Sequence, residues 1–207
     1  MKSLRIVPLV VLCSLSTSTL ALAQSDAQKY DSQKMDSQQM SHAQKADAPA
    51  PEAQKTFDQI KDLAGMWRGP VTVDPPQKGI KNGEVTQVSL RVTSRGNALV
   101  HEMKDPNVPD DPTRYDHPVT MFYLDNDRLL LTHYCDAGNR PRMVARTSPD
   151  GKTVEFDFLD VSGSTQFGNM YHAVFTNVDA THHIEDWTYM MPGGKPVHAH
   201  MDLTRAQ

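Results

Sequence analysis

Residues 154–158 read Val154-Glu155-Phe156-Asp157-Phe158, so apolar and acidic side chains alternate strictly along this stretch. Residues 88–92 repeat the pattern as Val-Ser-Leu-Arg-Val. Successive side chains of a strand point to opposite faces of its sheet, so a period of two predicts strands with one buried face. Such half-buried strands are typical of antiparallel sheets. The two stretches therefore predict an all-β domain.

Turn-forming residues divide the chain around these stretches into short segments, for example Ser-Pro-Asp-Gly at 148–151 and Pro-Gly-Gly at 192–194. About ten strands follow from this division, at 65–73, 84–94, 97–104, 117–125, 128–136, 141–147, 152–160, 169–178, 182–191 and 196–204. Strands at this spacing, without helices between them, favour an antiparallel barrel or sandwich. Closure of a barrel also removes exposed sheet edges, so we predict a single up-and-down barrel.

Two further segments complete the predicted domain at 56–207. A short helix at 56–63 precedes the strands, because Phe57, Ile60 and Leu63 fall on one helical face. The long connection at 105–116 contains three prolines and no strand pattern. Irregular loops of this length are often functional, and we expect this one to act as a lid over the barrel mouth.

The first 23 residues have the pattern of a secretory signal peptide, with Lys2 and Arg5 before a short apolar run and Ala-Leu-Ala at 21–23. The apolar run is too short to span a bilayer. Cys13 lies too early for lipid modification and follows Leu12 rather than a small residue. We therefore expect export to the periplasm or the cell exterior without a lipid anchor. Export leaves Cys135 as the single cysteine, so no intramolecular disulfide is expected.

Residues 24–55 are rich in Gln, Ser, Ala, Asp and Lys and contain no branched aliphatic residue. Such a segment buries too little apolar surface to offset its ordering entropy, which predicts a disordered tether. A solvated helix is the alternative, because Gln, Ala and Lys favour helix. The net charge is −4 and there is no basic block, so nucleic acid is not an expected partner. No apolar segment after the signal is long enough to span a membrane.

The stretch Gly65-Met66-Trp67-Arg68-Gly69 opens the first strand after the short helix. It resembles the Gly-x-Trp start of the calycin superfamily, which includes lipocalins, fatty-acid-binding proteins and heme-binding nitrobindins. This resemblance implies that Trp67 closes one end of the barrel and that Arg205 packs over it. The domain also resembles exported bacterial proteins with a lipocalin-like barrel, through 131–135, 185–189 and 198–203. Calycins bind many different ligands, so the resemblance implies a fold more than a function.

Eight of the nine histidines lie in the predicted domain, and several share strand faces with apolar residues. A mixed face of this kind predicts a lumen that holds a ligand rather than a dry core. The faces are Leu129, Leu131, His133 and Cys135; Met170, His172 and Val174; His183, Glu185, Trp187 and Tyr189; and His198, His200 and Asp202. The last strand leaves two orientations open, because Val197, Ala199, Met201 and Leu203 form an opposite, apolar face.

Three interpretations of these histidines compete with the simplest one, in which they are hydrogen-bonded strand residues. In the first, the lumen binds a small apolar or amphipathic molecule, with candidate contacts at His133, Tyr134, Cys135, His172, Trp187 and Tyr189. In the second, a metal, most plausibly zinc, is bound by His198 and His200 together with His133, His172 or His183. The third is heme ligation by one histidine, which rests on analogy with nitrobindins.

Catalysis is a weaker hypothesis for this chain, because the sequence has no Gly-x-Ser-x-Gly elbow, phosphate-binding glycine loop or His-Glu-x-x-His helix. Glu185 and Asp186 are adjacent and face opposite ways on a strand, so they cannot act as an acid–base pair. His133 and Cys135 share a face, and a thiolate–imidazole pair is the remaining catalytic candidate. A scaffold that acts through the Gln-rich tether is a further class, with the tether as its only support.

Overall fold

The computed structural model describes residues 51–148 and 151–206, without the side chain of Thr147. The predicted signal peptide at 1–23 and residues 24–50 of the predicted tether at 24–55 lie outside the described residues. The described part contains one α-helix, a short 3₁₀ turn and ten strands. These are α1 (Glu52–Lys61), β1 (Gly65–Asp74), β2 (Val85–Thr93), the 3₁₀ turn (Ser94–Gly96), β3 (Ala98–Lys104), β4 (Val119–Asp125), β5 (Arg128–Tyr134), β6 (Arg140–Thr147), β7 (Thr153–Ser162), β8 (Asn169–Asp179), β9 (His182–Met191) and β10 (Lys195–Arg205).

Each strand pairs antiparallel with the next along the chain, and β1 pairs with β10. The sheet is therefore a closed ten-stranded up-and-down barrel, which confirms the predicted fold class. All ten predicted strands are present, with ends that differ by at most two residues. Among the described residues, no helix has the length and apolar character needed to cross a membrane.

The helix begins at Glu52 and ends at Lys61, so the predicted span of 56–63 was wrong at both ends. Four residues assigned to the tether belong to the helix, because Glu, Ala, Gln and Lys are good helix formers and Pro51 directly precedes them. The three residues of the predicted apolar face are buried as expected: Phe57, Ile60 and Leu63 are each at most 3% exposed. The helix packs against β2, β4, β5 and β6 and covers one end of the barrel.

The helix-covered end is sealed by Trp67 and Arg205. The Trp67 side chain is fully buried, and its indole N–H donates to the carbonyl oxygen of Leu63 at 2.8 Å. The guanidinium carbon of Arg205 lies 4.1 Å from the centre of the Trp67 ring. The same guanidinium donates to the carbonyl oxygens of Ala64 and Ala180. Gly65 has a φ of +149° here, and a Cβ on it would lie 2.2 Å from Arg205 Nη1, so this end requires glycine.

The opposite end of the barrel is open, and five connections surround it, at 75–84, 105–118, 135–139, 163–168 and 192–194. Between the two ends lies an aromatic core of Phe122, Phe156 and Phe175, whose ring centres are 5.4–5.9 Å apart at T-shaped angles. Each such pair contributes about 0.5–1.5 kcal/mol beyond its buried area. The half of the lumen nearer the sealed end, the lower half, is thus filled by side chains, and the cavities inside the barrel wall lie towards the open end.

Candidate ligand cavity and buried polar cluster

Two overlapping cavities lie at the open end of the barrel, with volumes of about 550 and 390 Å³. Most of their shared wall is apolar. The residues that line both are Val73, Ile80, Met103, Asp116, Pro118, Met170, Trp187 and Ala199. The loop at 105–118 supplies part of this wall, including Val108 and Tyr115 in the larger cavity. The loop therefore lies at the cavity, where a lid of the kind predicted from its length would be found.

Strand β9 carries the side chains that connect the sealed end to the cavity. Its inward residues run from His183, beside Trp67, through Glu185 and Trp187 to Tyr189 near the mouth. Alternation of the strand places all four on one face, as the sequence predicted. Trp187 separates the cavity from the side chains below it, because it lines both cavities and is only 2% exposed.

Beneath Trp187 lies a buried polar cluster centred on Glu185, which is 0% exposed. His101 on β3 donates from Nε2 to the Glu185 carboxylate, at 2.9 and 3.2 Å from its two oxygens. His183 donates from Nε2 at 3.0 Å, and the Trp187 indole N–H donates at 3.0 Å. His101 and His183 are also 0% exposed. Three donors therefore converge on one carboxylate in the middle of an apolar barrel.

The ionisation of Glu185 follows from this arrangement. Burial by itself raises the pKa of a carboxyl, but the charge of His101 and the hydrogen bonds from His101 and His183 outweigh it and hold the pKa of Glu185 well below its usual range. Glu185 is thus a carboxylate that accepts and does not donate. An uncompensated buried carboxylate is costly, so Glu185 depends on its imidazole partners.

A third buried imidazole, His133, lies outside the Glu185 cluster. Burial and the nearby charge of His101 lower the pKa of His133 to about 3, so its ring is neutral at neutral pH. Its Nδ1 shares a 2.8 Å hydrogen bond with the hydroxyl of Thr120. The ring lies 5.6 Å from Trp187 between centres and lines the smaller cavity. His133 therefore presents a neutral polar group to a ligand.

The structure brings together four of the six predicted lumen residues: His133, Cys135, Trp187 and Tyr189 all line the smaller cavity. The prediction was wrong for Tyr134 and His172. Tyr134 follows His133 on β5, faces outward and is 43% exposed. His172 also lies outside the barrel, 3.3 Å from Asp157 of the neighbouring strand.

The error at His172 comes from a β-bulge in β8. Met170 pairs with Tyr189 of β9, and His172 pairs with Thr188, so one extra residue of β8 lies between two consecutive residues of β9. The bulge reverses the alternation, since Met170 and Ala173 both face the lumen while His172 does not. The period-two pattern that placed Met170 and His172 on one face holds only for a regular strand.

The predicted zinc site is not assembled. His198 and His200 are exposed on the outer face of β10, while the opposite face, with Val197, Met201 and Leu203, is buried. The barrel wall therefore separates them from His133 and His183 inside, and His172 on the outer face groups with Glu155 and Asp157 rather than with His198 and His200. Each outer histidine has a neighbour on β9, Thr188 for His198 and Asp186 for His200, at 3.1 and 2.7 Å.

The buried cluster does not fit zinc either. The ligand atoms of His101, His183 and Glu185 do not all lie within 4.8 Å of one another; among the described residues, the group that meets this distance is Glu155, Asp157 and His172 on the outer face. A heme iron needs an imidazole nitrogen at the cavity, and His133 lines the smaller of the two cavities at the mouth.

The proposed thiolate–imidazole pair also finds no electrostatic support. Burial raises the pKa of the Cys135 thiol, and the carboxylates of Asp116 and Asp136 add to this effect. An activated cysteine needs the opposite, a thiol pKa lowered by a neighbouring positive charge. Cys135 and His133 are therefore both neutral wall residues of the cavity.

Sequence reasoning missed the centre of the polar cluster, His101 with Glu185, and the Thr120 partner of His133. A signal for both residues of that centre was present. His101 lies between Leu99 and Met103 on an alternating strand, and Glu185 lies between His183 and Trp187 on another. A polar residue on an otherwise buried face needs a hydrogen-bond partner. The imidazole of His101 can donate a hydrogen bond, and the carboxylate of Glu185 can accept it. Their contact across 84 residues of sequence became visible only with the barrel closed.

Comparison with known proteins supports the fold. No protein-family profile and no curated protein matches the chain. The crystal structure of Rv2717c from M. tuberculosis is similar with a TM-score of 0.54 and 12% identity, over 77% of this chain and 100% of that one. A DUF3598 protein of unknown function from Nostoc punctiforme PCC 73102 is similar with a TM-score of 0.38 and 11% identity, over 78% of this chain and 53% of that one. The fold and the site define a closed ten-stranded antiparallel barrel with a cavity at its open end, and the likeness to Rv2717c concerns the fold alone.

Proposed function

We propose that this protein is exported and binds one small apolar or amphipathic molecule at the open end of its barrel. The observation that carries this proposal is the mouth cavity of about 550 Å³ above a filled lower lumen. Small-molecule sites are usually concave, mainly apolar and between about 300 and 1,000 Å³, with a few polar groups that orient the ligand. The signal-peptide pattern of the first 23 residues supports export.

The cavity wall is suited to a ligand of irregular shape. Met103, Met170 and Met201 line the larger cavity, and unbranched thioether side chains adapt to different partners. The floor is rigid by contrast, since Trp187 is anchored through its N–H to Glu185. Neutral His133 beside it offers a hydrogen bond to one polar group of the ligand. Such a site selects by size and by one or two polar contacts.

Native mass spectrometry of the protein, purified without chelator from its own source, tests the proposal directly. We expect an added mass that corresponds to one organic molecule per chain. A mass matching zinc or heme would replace the proposal with a metal or heme protein. A bare polypeptide mass, together with no binding of added fatty alcohols, would refute it.

A matched pair of variants locates the ligand. Ala199 lines both cavities from β10, while the next residue, His200, faces outward. We expect Ala199→Trp to fill the cavity and abolish the organic adduct, and His200→Trp to retain it. Loss of the adduct in both variants, or in neither, would show that the ligand does not lie in this cavity.

A further inference from the structure

The smaller cavity has an unbalanced charge. Its titratable wall residues are His133, Cys135, Tyr189, Asp116 and Asp136. His133 is neutral because its pKa is about 3, Cys135 is neutral because burial raises its pKa, and burial also raises the pKa of Tyr189 to about 12. The charged groups that remain are two carboxylates.

These two carboxylates lie close together at the mouth. The backbone N–H of Asp136 donates to the Asp116 carboxylate at 3.1 Å. Desolvation and the charge of Asp136 raise the pKa of Asp116. Within the described residues, neither carboxylate forms an ion pair with a lysine or an arginine. Two like charges beside an apolar cavity repel each other, and a cation placed between them would relieve this repulsion.

The two carboxylates also act on neighbouring wall residues. The carboxylates of Asp136 and Asp116 add to the effect of burial in raising the pKa of both Tyr189 and Cys135. The charge of His117 lowers the pKa of Asp116 but does not offset burial and the charge of Asp136, and the His117 ring lies 3.6 Å from Asp110 and 3.7 Å from Glu102. Two further basic side chains lie near the mouth. Lys104 is paired with Asp110 at 3.1 Å, and Arg114 is an exposed residue of the larger cavity, 5.9 Å from the centre of the Tyr115 ring.

Aromatic rings in the same cavity favour a positive charge as well. Trp187 and Tyr189 both contribute to the wall, and the face of an aromatic ring attracts an organic cation. Tyr189 is held in place because its hydroxyl donates to the carbonyl oxygen of Phe167 at 2.9 Å. Carboxylates at the rim, aromatic rings on the wall and apolar side chains below are complementary to a molecule with a cationic head and an apolar tail.

We infer that the ligand is an amphipathic organic cation, such as an alkylammonium compound, whose head group lies at Asp116 and Asp136 and whose tail lies along Met103 and Met170. This inference rests on the proposed function and specifies the chemical class of its ligand. It predicts discrimination between molecules that share a tail and differ only in the charge of the head.

Three probes with the same tail test the inference: dodecyltrimethylammonium, dodecanol and dodecyl sulfate, each below its micelle concentration. Binding is measured from the fluorescence of Trp187 in a Trp67→Phe background at pH 7 and low salt, with circular dichroism as a control for folding. We expect the cation to bind about tenfold or more tightly than the anion. In the variant Asp116→Asn/Asp136→Asn, this preference should disappear while dodecanol binds as before.

A second charge variant controls for a general effect of net charge. Asp125→Asn/Asp127→Asn removes two carboxylates at the sealed end of the barrel and should leave the preference intact. If dodecanol binds but the cation and the anion bind equally well, or the anion binds more tightly, the inference is overturned and the proposed function stands. If none of the three probes binds, both are overturned. A preference that survives Asp116→Asn/Asp136→Asn would also overturn the inference.

Discussion

Replacement of Glu185 by Ala should destabilise this protein more than almost any other single change of a charged residue. Glu185 is 0% exposed and accepts hydrogen bonds from His101, His183 and Trp187. Without the carboxylate, two buried imidazole N–H groups and one indole N–H lose their acceptor. Among the described residues, His101 Nδ1 and His183 Nδ1 have no hydrogen-bond partner, so each ring depends on Glu185 for its hydrogen bond.

The expected loss follows from these contacts. A buried donor left without its acceptor costs about 1–3 kcal/mol, and removal of one partner of a buried ion pair costs about 3–5 kcal/mol. We therefore expect Glu185→Ala to lower the free energy of unfolding by about 3–5 kcal/mol. Glu185→Gln keeps the volume and one carbonyl acceptor, so its loss should be smaller, about 1–3 kcal/mol.

Urea unfolding followed by tryptophan fluorescence measures both losses. The neighbouring residue provides the matched control: Asp186 lies on the outer face, about half exposed, and binds His200 at 2.7 Å. Exposed pairs contribute about 0–1 kcal/mol, so Asp186→Ala should have little effect. Equal losses for Glu185→Ala and Asp186→Ala would refute the argument that burial gives the Glu185 cluster its energy.

The pH dependence gives an independent check. The pKa of Glu185 is lower in the folded protein than in the unfolded chain, so its contribution is complete above the unfolded value of about 4.3 and is lost as the pH falls below it. The difference in unfolding free energy between the wild type and Glu185→Gln should therefore shrink below about pH 4. A difference that stays constant down to pH 2 would show that the carboxylate is not ionised in the folded state.

Further predictions concern other contacts of the barrel. His133 has a folded pKa of about 3 against about 6.5 unfolded, so the unfolded chain takes up a proton below pH 6.5 that the folded protein does not, and stability falls on acidification. His133→Gln should therefore reduce the slope of unfolding free energy against pH, between about pH 6 and 4, by up to ~1.4 kcal/mol per pH unit. An unchanged slope would contradict this. Arg205→Ala should cost about 1–3 kcal/mol in denaturant unfolding because the contact with Trp67 is lost, and Arg205→Lys should recover less than half of it. A Cβ on Gly69 would lie 1.8 Å from the carbonyl oxygen of Asp202, so Gly69→Ala must separate β1 from β10. The substitution should lower the free energy of unfolding by about 3 kcal/mol or more. If the variant had the thermal stability of the wild type, the two strands would not approach so closely.

The strands and the sealed end illustrate how far local reasoning reaches. Alternation and turn residues predicted ten strands, all of which are present. The resemblance around Trp67 and Arg205 placed these residues together, and they lie 4.1 Å apart. Both features depend on short-range rules: the side-chain period of a strand, and a motif at its first residues. The helix was placed four residues too late, because propensity without an apolar stripe gave no sign of its first turn.

The histidines show where such reasoning ends. The pair His198 and His200 attracted a metal hypothesis because side chains two apart share a face, but the barrel turns that face to solvent. At His172, a bulge in β8 reversed the face. In both places the alternating pattern allows either face of the strand to point into the lumen, and the closed sheet decides which face does so. For β9 the selected face was the predicted one, which is why Trp187 and Tyr189 line the cavity.

The sequence by itself determined the all-β class, the number of strands, their order and the positions of the turns, since each follows from side-chain period and backbone preference over a few residues. The tertiary structure decided which histidines meet a carboxylate and which meet water. His101 and Glu185 are 84 residues apart and become partners only because strands β3 and β9 both contribute to one closed lumen. The same closure leaves Asp116 and Asp136 together at an apolar mouth. Contacts across a barrel depend on the register and shear of all ten strands at once, and a sequence pattern within one strand determines neither of them.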